Sequence, residues 1–114
     1  MAGGGNSPFM AGVPEMMLLR LLKDQEMYGY ELAEAITAQS KQVIALGEGV
    51  LYPVLHELER NGALKSRRKT VNGRSRVYYT ITSKGKRRLK DLASTWATLN
   101  GAIQDILRGG ALAV

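Results

Sequence analysis

ALKSRRKTVNGRSRVYYTI, residues 63–81, is the stretch from which the rest of this 114-residue chain can be read. Asn72-Gly73 stands between two strand-like runs. It is the strongest short-range hairpin signal, because both residues accept the positive φ of a two-residue turn. On the return strand Val77, Tyr79 and Ile81 alternate with Arg76, Tyr78 and Thr80. That spacing predicts one packed face and one wet face. The ribbon is also cationic. From Arg60 to Lys90 there are twelve Lys or Arg and no Asp or Glu, whereas the other residues hold four bases and all ten acids. A folded polycation beside a helix suits a regular polyanion, of which double-stranded DNA is the commonest.

The helix before the ribbon spans Val50 to Arg60, with Leu51, Leu55 and Leu58 as its apolar stripe and Gly62 as its stop. Pro53 belongs in a first turn, so the helix is expected to begin just ahead of it. A loop with Gly47 and Gly49 separates it from a second helix, Tyr28 to Ser40, whose inner face is Tyr28, Leu32 and Ile36. Gly29 permits close approach at that helix's start. Residues 24–27 read as a polar turn. The first helix opens at Pro14 and is apolar nearly all round through Met16, Met17, Leu18, Leu19, Leu21 and Leu22. Such a helix is expected to be buried on more than one side, the second side by a partner chain.

After the ribbon, Thr82 or Ser83 can cap a long helix that runs to about Arg108. Leu89, Leu92, Trp96, Leu99, Ile103 and Ile106 are spaced 3, 4, 3, 4, 3 along it, a heptad seam. Nothing else in the chain remains to cover that seam, which predicts pairing with a second copy. The expected fold is mainly α (α+β): a winged helix-turn-helix with a two-stranded wing and a long C-terminal dimerisation helix. The divisions are a flexible segment 1–12, in which only Phe9 and Met10 are expected to pack, a winged helix 13–81, a dimerisation helix 82–108 and a tail 109–114.

Composition narrows the function. A net charge of +6 and a pI near 9.8 favour an acidic partner. The absence of cysteine rules out a disulfide framework or a thiolate metal site and suits the cytoplasm. No apolar run approaches the ~18 residues of a membrane span. His56 is the single histidine and has no ligand cluster around it, so no metal or other cofactor is expected. No Ser/His/Asp set or paired carboxylates suggest an enzyme, and no Gly-Lys-Ser/Thr follows the glycines to make a phosphate loop.

The motifs Tyr28-Gly29-Tyr30-Glu31-Leu32, Gly49-Val50-Leu51-Tyr52-Pro53-Val54-Leu55 with Leu58-Glu59, and Asn61-Gly62 occur in order. Gly73-Arg74, Tyr78-Tyr79, Ile81-Thr82 and Gly85 follow. In order and spacing they resemble PadR-type transcriptional regulators, in the short form with a single C-terminal helix, over roughly residues 13–107. The resemblance implies a dimeric repressor that leaves its operator when a small molecule binds. Short multidrug-sensing members carry a tryptophan near the place of Trp96, where two copies line an apolar slot that stacks on flat aromatic ligands.

Candidate DNA contacts are Gly49, in the loop ahead of the helix, and Tyr52, Pro53 and His56 on the helix face opposite Leu51, Leu55 and Leu58, which in a winged helix enters the major groove. A solvent-facing surface is the plain alternative. Arg67, Lys69, Arg74 and Arg76 on the wing suit phosphate, and Tyr30 suits a phosphate at the start of the second helix. Tyr28 fits either that role or the core. The dimer seam is Leu89, Leu92, Trp96, Leu99, Ile103 and Ile106. Leu92, Trp96, Leu99, Asn100 and Met16 are candidate effector contacts, with ordinary interface packing as the alternative reading of Trp96. The partners so implied are a palindromic double-stranded DNA operator, a second copy and a planar hydrophobic small molecule, with no membrane. A sequence-tolerant architectural DNA binder without an effector is the competing reading.

Overall fold

The computed structural model describes residues 12–109. In chain order the elements are α1 (Val13–Asp24), β1 (Met27–Tyr28), α2 (Gly29–Gln39), α3 (Glu48–Arg60), β2 (Leu64–Val71), β3 (Arg74–Ile81) and α4 (Ser83–Leu107). The flexible segment expected at 1–12, including Phe9 and Met10, and the tail at 109–114 lie outside the described residues, Gly12 and Gly109 apart.

The hairpin forms where Asn72-Gly73 directs it. Both turn residues have positive φ (53° and 78°), and Val71 faces Arg74 across a two-residue loop. The sheet has three strands rather than two, in the order β1-β3-β2, because Met27 and Tyr28 pair antiparallel with Tyr79 and Tyr78. A two-residue strand carries no readable alternation; it exists because β3 had a free edge to pair. This addition also overturns the wet position expected for Tyr78. The Tyr28 ring meets it edge-on at 5.3 Å and the Lys69 ammonium sits 4.3 Å from its centroid, leaving Tyr78 only 7 % exposed.

Leu18, Leu19, Leu32, Leu51, Leu55 and Leu64 are the innermost side chains. The stripes of α2 and α3 read from the sequence, Leu32 with Ile36 and Leu51 with Leu55 and Leu58, meet there. The many-sided apolarity of α1 is answered largely within the chain, since α1 packs on α2, α3, α4 and β3. Only Met16 and Met17 among its large apolar side chains stay half-buried.

α3 starts earlier than its proline suggested. Glu48 opens the helix and Pro53 falls in the second turn. Pro53 deprives the Gly49 carbonyl of its usual N–H donor. The exposed Gly49 leaves that oxygen open to water, which makes the break tolerable.

At its far end α3 stops at Gly62, with φ +82°, and the chain turns into β2. The Ala63 carbonyl accepts the Thr82 N–H (3.0 Å), and the Thr82 hydroxyl reaches the Gly62 and Ala63 carbonyls (2.7 and 3.0 Å). The same hydroxyl accepts from the Gly85 N–H at 3.0 Å and so caps α4. Gly85 lies so close that a Cβ there would fall 2.7 Å from Ile81 Cγ1 and 3.1 Å from the Ala63 carbonyl carbon. Farther along, α4 leaves the core, and the molecule measures 63 × 29 × 23 Å.

Gly85→Ala is therefore expected to destabilise the fold by ~1–3 kcal/mol through overpacking. Gly101→Ala, opposite the seam with open space around it, should be neutral or stabilising by up to ~1 kcal/mol. Urea unfolding of the two variants beside the parent checks both signs.

Candidate nucleic-acid interface

The outward side of α3 carries Gly49, Pro53 and His56, all exposed, with Tyr52 half-buried beside them. Tyr52 leans on the start of α2. A Cβ on Gly29 would fall 2.6 Å from Tyr52 Cζ, so the glycine admits the tyrosine ring. Tyr52 and His56 lie one turn apart, ring centroids 6.2 Å from each other. Together with Tyr28, Gly29, Val77, Tyr79 and Arg76 they border a cleft of about 280 Å³ between α2, α3 and β3. Three sequence-predicted contacts, Tyr52, His56 and Arg76, are thus gathered at one place. Tyr30 is not among the cleft's residues; it stands exposed on α2, where Glu34 one turn on raises its phenol above the ordinary value. Tyr28 takes the cleft position instead, as the N-cap residue whose backbone N–H donates to Glu31 at 3.2 Å.

The wing's register sorts its bases. Lys65, Arg67 and Lys69 on β2 and Arg74 and Arg76 on β3 fall on one face of the sheet, and Leu64, Ser66, Tyr79 and Ile81 on the other. The inner face is joined to α3 by the Ser66 hydroxyl, which donates to Glu59 at 2.6 Å. On the outer face Tyr28 and Tyr78 form an aromatic centre. The Arg76 guanidinium lies 4.3 Å from the Tyr28 centroid and Lys69 covers Tyr78.

Two of the expected phosphate contacts are already engaged. Lys69 pairs with the Glu26 carboxylate, and Arg67 approaches it at 3.3 Å. The hydrogen bond from Lys69 is the main reason that the Glu26 carboxyl lies below its ordinary value, and Arg67 adds to it. Among the described residues no ion pair involves Lys65, Arg68, Arg74 or Arg76. Glu26 was not singled out in the sequence. Its partners lie 41 and 43 residues away, and the local pattern of a polar turn gives no sign of them.

On α4 only Leu89 of the seam is buried. Leu92 and Ile103 are half-buried, while Trp96, Leu99 and Ile106 are 41, 42 and 74 % exposed. Asn100 is exposed as well. Met16 lies apart from Trp96, in an apolar groove of about 370 Å³ between α1, α2 and α4 that Met17, Leu21, Ile36, Leu89 and Ala93 also line. The bidentate Arg88–Glu15 pair, 3.1 Å for its longer contact, holds α4 to α1 nearby.

Residues 18–91 match the family model described as the transcriptional regulator PadR-like family. The chain belongs to that family. It is 31 % identical over 104 residues to an uncharacterized protein of Lysinibacillus sphaericus, covering 90 % of this chain and 95 % of that one. It is also 31 % identical over 83 residues to the transcriptional regulator Rv3488 of Mycobacterium tuberculosis, 73 % of this chain and 75 % of that one. Among solved structures, a transcriptional regulator from Clostridium thermocellum superposes with a TM-score of 0.80 at 28 % identity, covering 87 % of this chain and 97 % of its own. A PadR family transcription regulator from Clostridium difficile gives 0.73 at 26 % identity, covering 84 % and 99 %. This PadR-like chain is accordingly a transcriptional regulator with the winged-helix fold. Among its described residues no helix is long and apolar enough to cross a membrane, and no three His, Asp or Glu gather as metal ligands.

The pairing of Glu26 has a pH signature. Its carboxyl is depressed in the folded protein, so its contribution to stability is complete above the ordinary value near 4.5 and fades as the pH falls through the lower, folded value. Carboxylate titration followed by NMR should place the Glu26 midpoint below 4.5, and Lys69→Met should move it upward.

Proposed function

We propose that this regulator is a homodimeric repressor, working in the cytoplasm, that binds a palindromic double-stranded DNA operator and is released by a small planar hydrophobic molecule. The observation that carries the DNA reading is the meeting of α3's outward face with an acid-free wing around one cleft, where Tyr52, His56 and Arg76 converge. In this reading Gly49, Tyr52, Pro53 and His56 enter the major groove, and the exposed Gly49 and Pro53 leave room for the duplex. Tyr30, Arg74 and Arg76 meet phosphate, with Arg67 and Lys69 behind them on the wing.

Dimerisation is supported by the seam. Leu92, which also packs against the core, begins a heptad stripe that continues through Trp96, Leu99, Ile103 and Ile106, with Trp96, Leu99 and Ile106 exposed. The apolar groove beside Met16 and Leu89 is of the kind that receives such a stripe from a second copy. The effector reading rests on Trp96. Two large rings close to a twofold axis leave gaps bordered by Leu92 and Leu99, with Asn100 as a polar anchor, and such gaps suit flat apolar molecules.

A duplex carrying the inverted repeat next to the gene should outcompete a scrambled duplex by ~10³ or more. Equal affinity for the two would favour a sequence-tolerant architectural binder. Arg74→Ala with Arg76→Ala should make the salt dependence of binding shallower by about 2 in log–log slope. Sedimentation at micromolar concentration should give about twice 12.5 kDa, and Leu99→Asp, which puts a charge into the seam, should give monomers or unfolded chain. Planar aromatic dyes should quench Trp96 fluorescence and bind Trp96→Ala about tenfold more weakly. Unchanged dye affinity in that variant would remove Trp96 from the pocket.

A further inference from the structure

Glu26 stands against a surface that is otherwise basic. It precedes β1, and its carboxylate reaches across β3 to the two bases at the middle of β2. Lys69 is enclosed from two sides: Glu26 holds its ammonium, and the Tyr78 ring lies 4.3 Å from it. Only 29 % of the Lys69 side chain and 25 % of the Glu26 side chain remain exposed. A partly desolvated pair seated on an aromatic ring is stronger than a surface ion pair and is less weakened by salt. Its carboxylate is also tethered to the chain, so a DNA phosphate must compete with a local oxyanion at high effective concentration. Arg76, directly across from Lys69, and Arg74, nearer the tip on the same face, have no such acid among the described residues.

We propose that Glu26 is a positioning residue that acts as an internal substitute for phosphate: it holds Arg67 and Lys69 against the sheet and so limits the sequence-independent part of DNA affinity. The inference rests on the DNA-binding reading above and changes its accounting. Of the four wing bases assigned to DNA, two contribute counterion release and two are withheld. Phosphate contacts carry no sequence information, so withholding them lowers affinity for every duplex alike and leaves the ratio of operator to scrambled affinity unchanged.

The test is the salt dependence of binding to operator and scrambled duplexes, measured by fluorescence anisotropy with the full chain. Glu26→Gln, nearly isosteric and uncharged, should steepen the log–log slope by about 1 to 2 and raise both affinities about tenfold per freed cation near 0.1 M salt. Adding Lys69→Met to Glu26→Gln should return about 1 of that slope. Glu26→Ala, which removes the carboxylate altogether, should steepen the slope by the same amount, and this second variant keeps the idea testable should Glu26→Gln fail to fold. A slope in either Glu26 variant equal to or shallower than the parent's overturns the proposal. Failure of the underlying reading looks different: the parent protein would then show no salt-dependent binding to either duplex.

Discussion

One backbone carbonyl, that of Ala63, joins the two halves of this regulator. It accepts the Thr82 N–H, and the Thr82 hydroxyl bridges it to the Gly62 carbonyl and to the first turn of α4. The end of α3, the start of β2, the end of β3 and the cap of α4 therefore meet within a few residues. Gly85 makes that meeting close enough to be rigid, since no side chain fits there. The direction in which α4 leaves the core is fixed relative to α3. In a twofold dimer joined along α4, that direction sets the separation of the two α3 helices, and a change in seam packing has a short, stiff route to them. The Arg88–Glu15 pair ties the same helix to α1.

Charge on the wing is sorted more finely than its density suggests. The acid-free run from Arg60 to Lys90 gives a basic ribbon, but Glu26, from outside the run, pairs with two bases on the ribbon's outer face. The Tyr28–Tyr78 centre explains the arrangement physically. Two tyrosines on the outer face of a small sheet need cover, and the stems and heads of Lys69 and Arg76 supply it through cation–π contact. Once Lys69 lies over a ring, a nearby carboxylate can hold it there. Lys69 and Arg76 both cover a ring on one strand pair, and among the described residues only Lys69 of the two has a carboxylate beside it.

Much of this was legible locally. Asn72-Gly73 names its own turn, the stripes of α2 and α3 follow helical period, and Thr82 caps α4 as its position suggests. What escaped was set by pairing between distant segments. β1 is two residues long and exists only because β3 offers an edge, and Tyr78 is buried for the same reason. The Glu26 contacts span more than forty residues. Pro53 misled because its rule concerns the lost hydrogen bond, which an exposed first turn at Gly49 can give up to water. For the candidate site, α3's outward face and the wing were readable as separate pieces. The cleft that joins them was not, since it depends on Gly29 letting Tyr52 against α2.

In the proposed twofold particle, α4 pairing presents two α3 helices at the spacing of successive major grooves. The chain has no cysteine, so His56→Cys gives one unique attachment site per subunit, at the middle of α3's outward face. Double electron–electron resonance between spin labels at that position measures the separation directly. A single distance distribution centred at about 34 Å, one helical turn of DNA, is expected. Absence of dipolar coupling at micromolar protein, or a broad distribution with no maximum in that region, would contradict it.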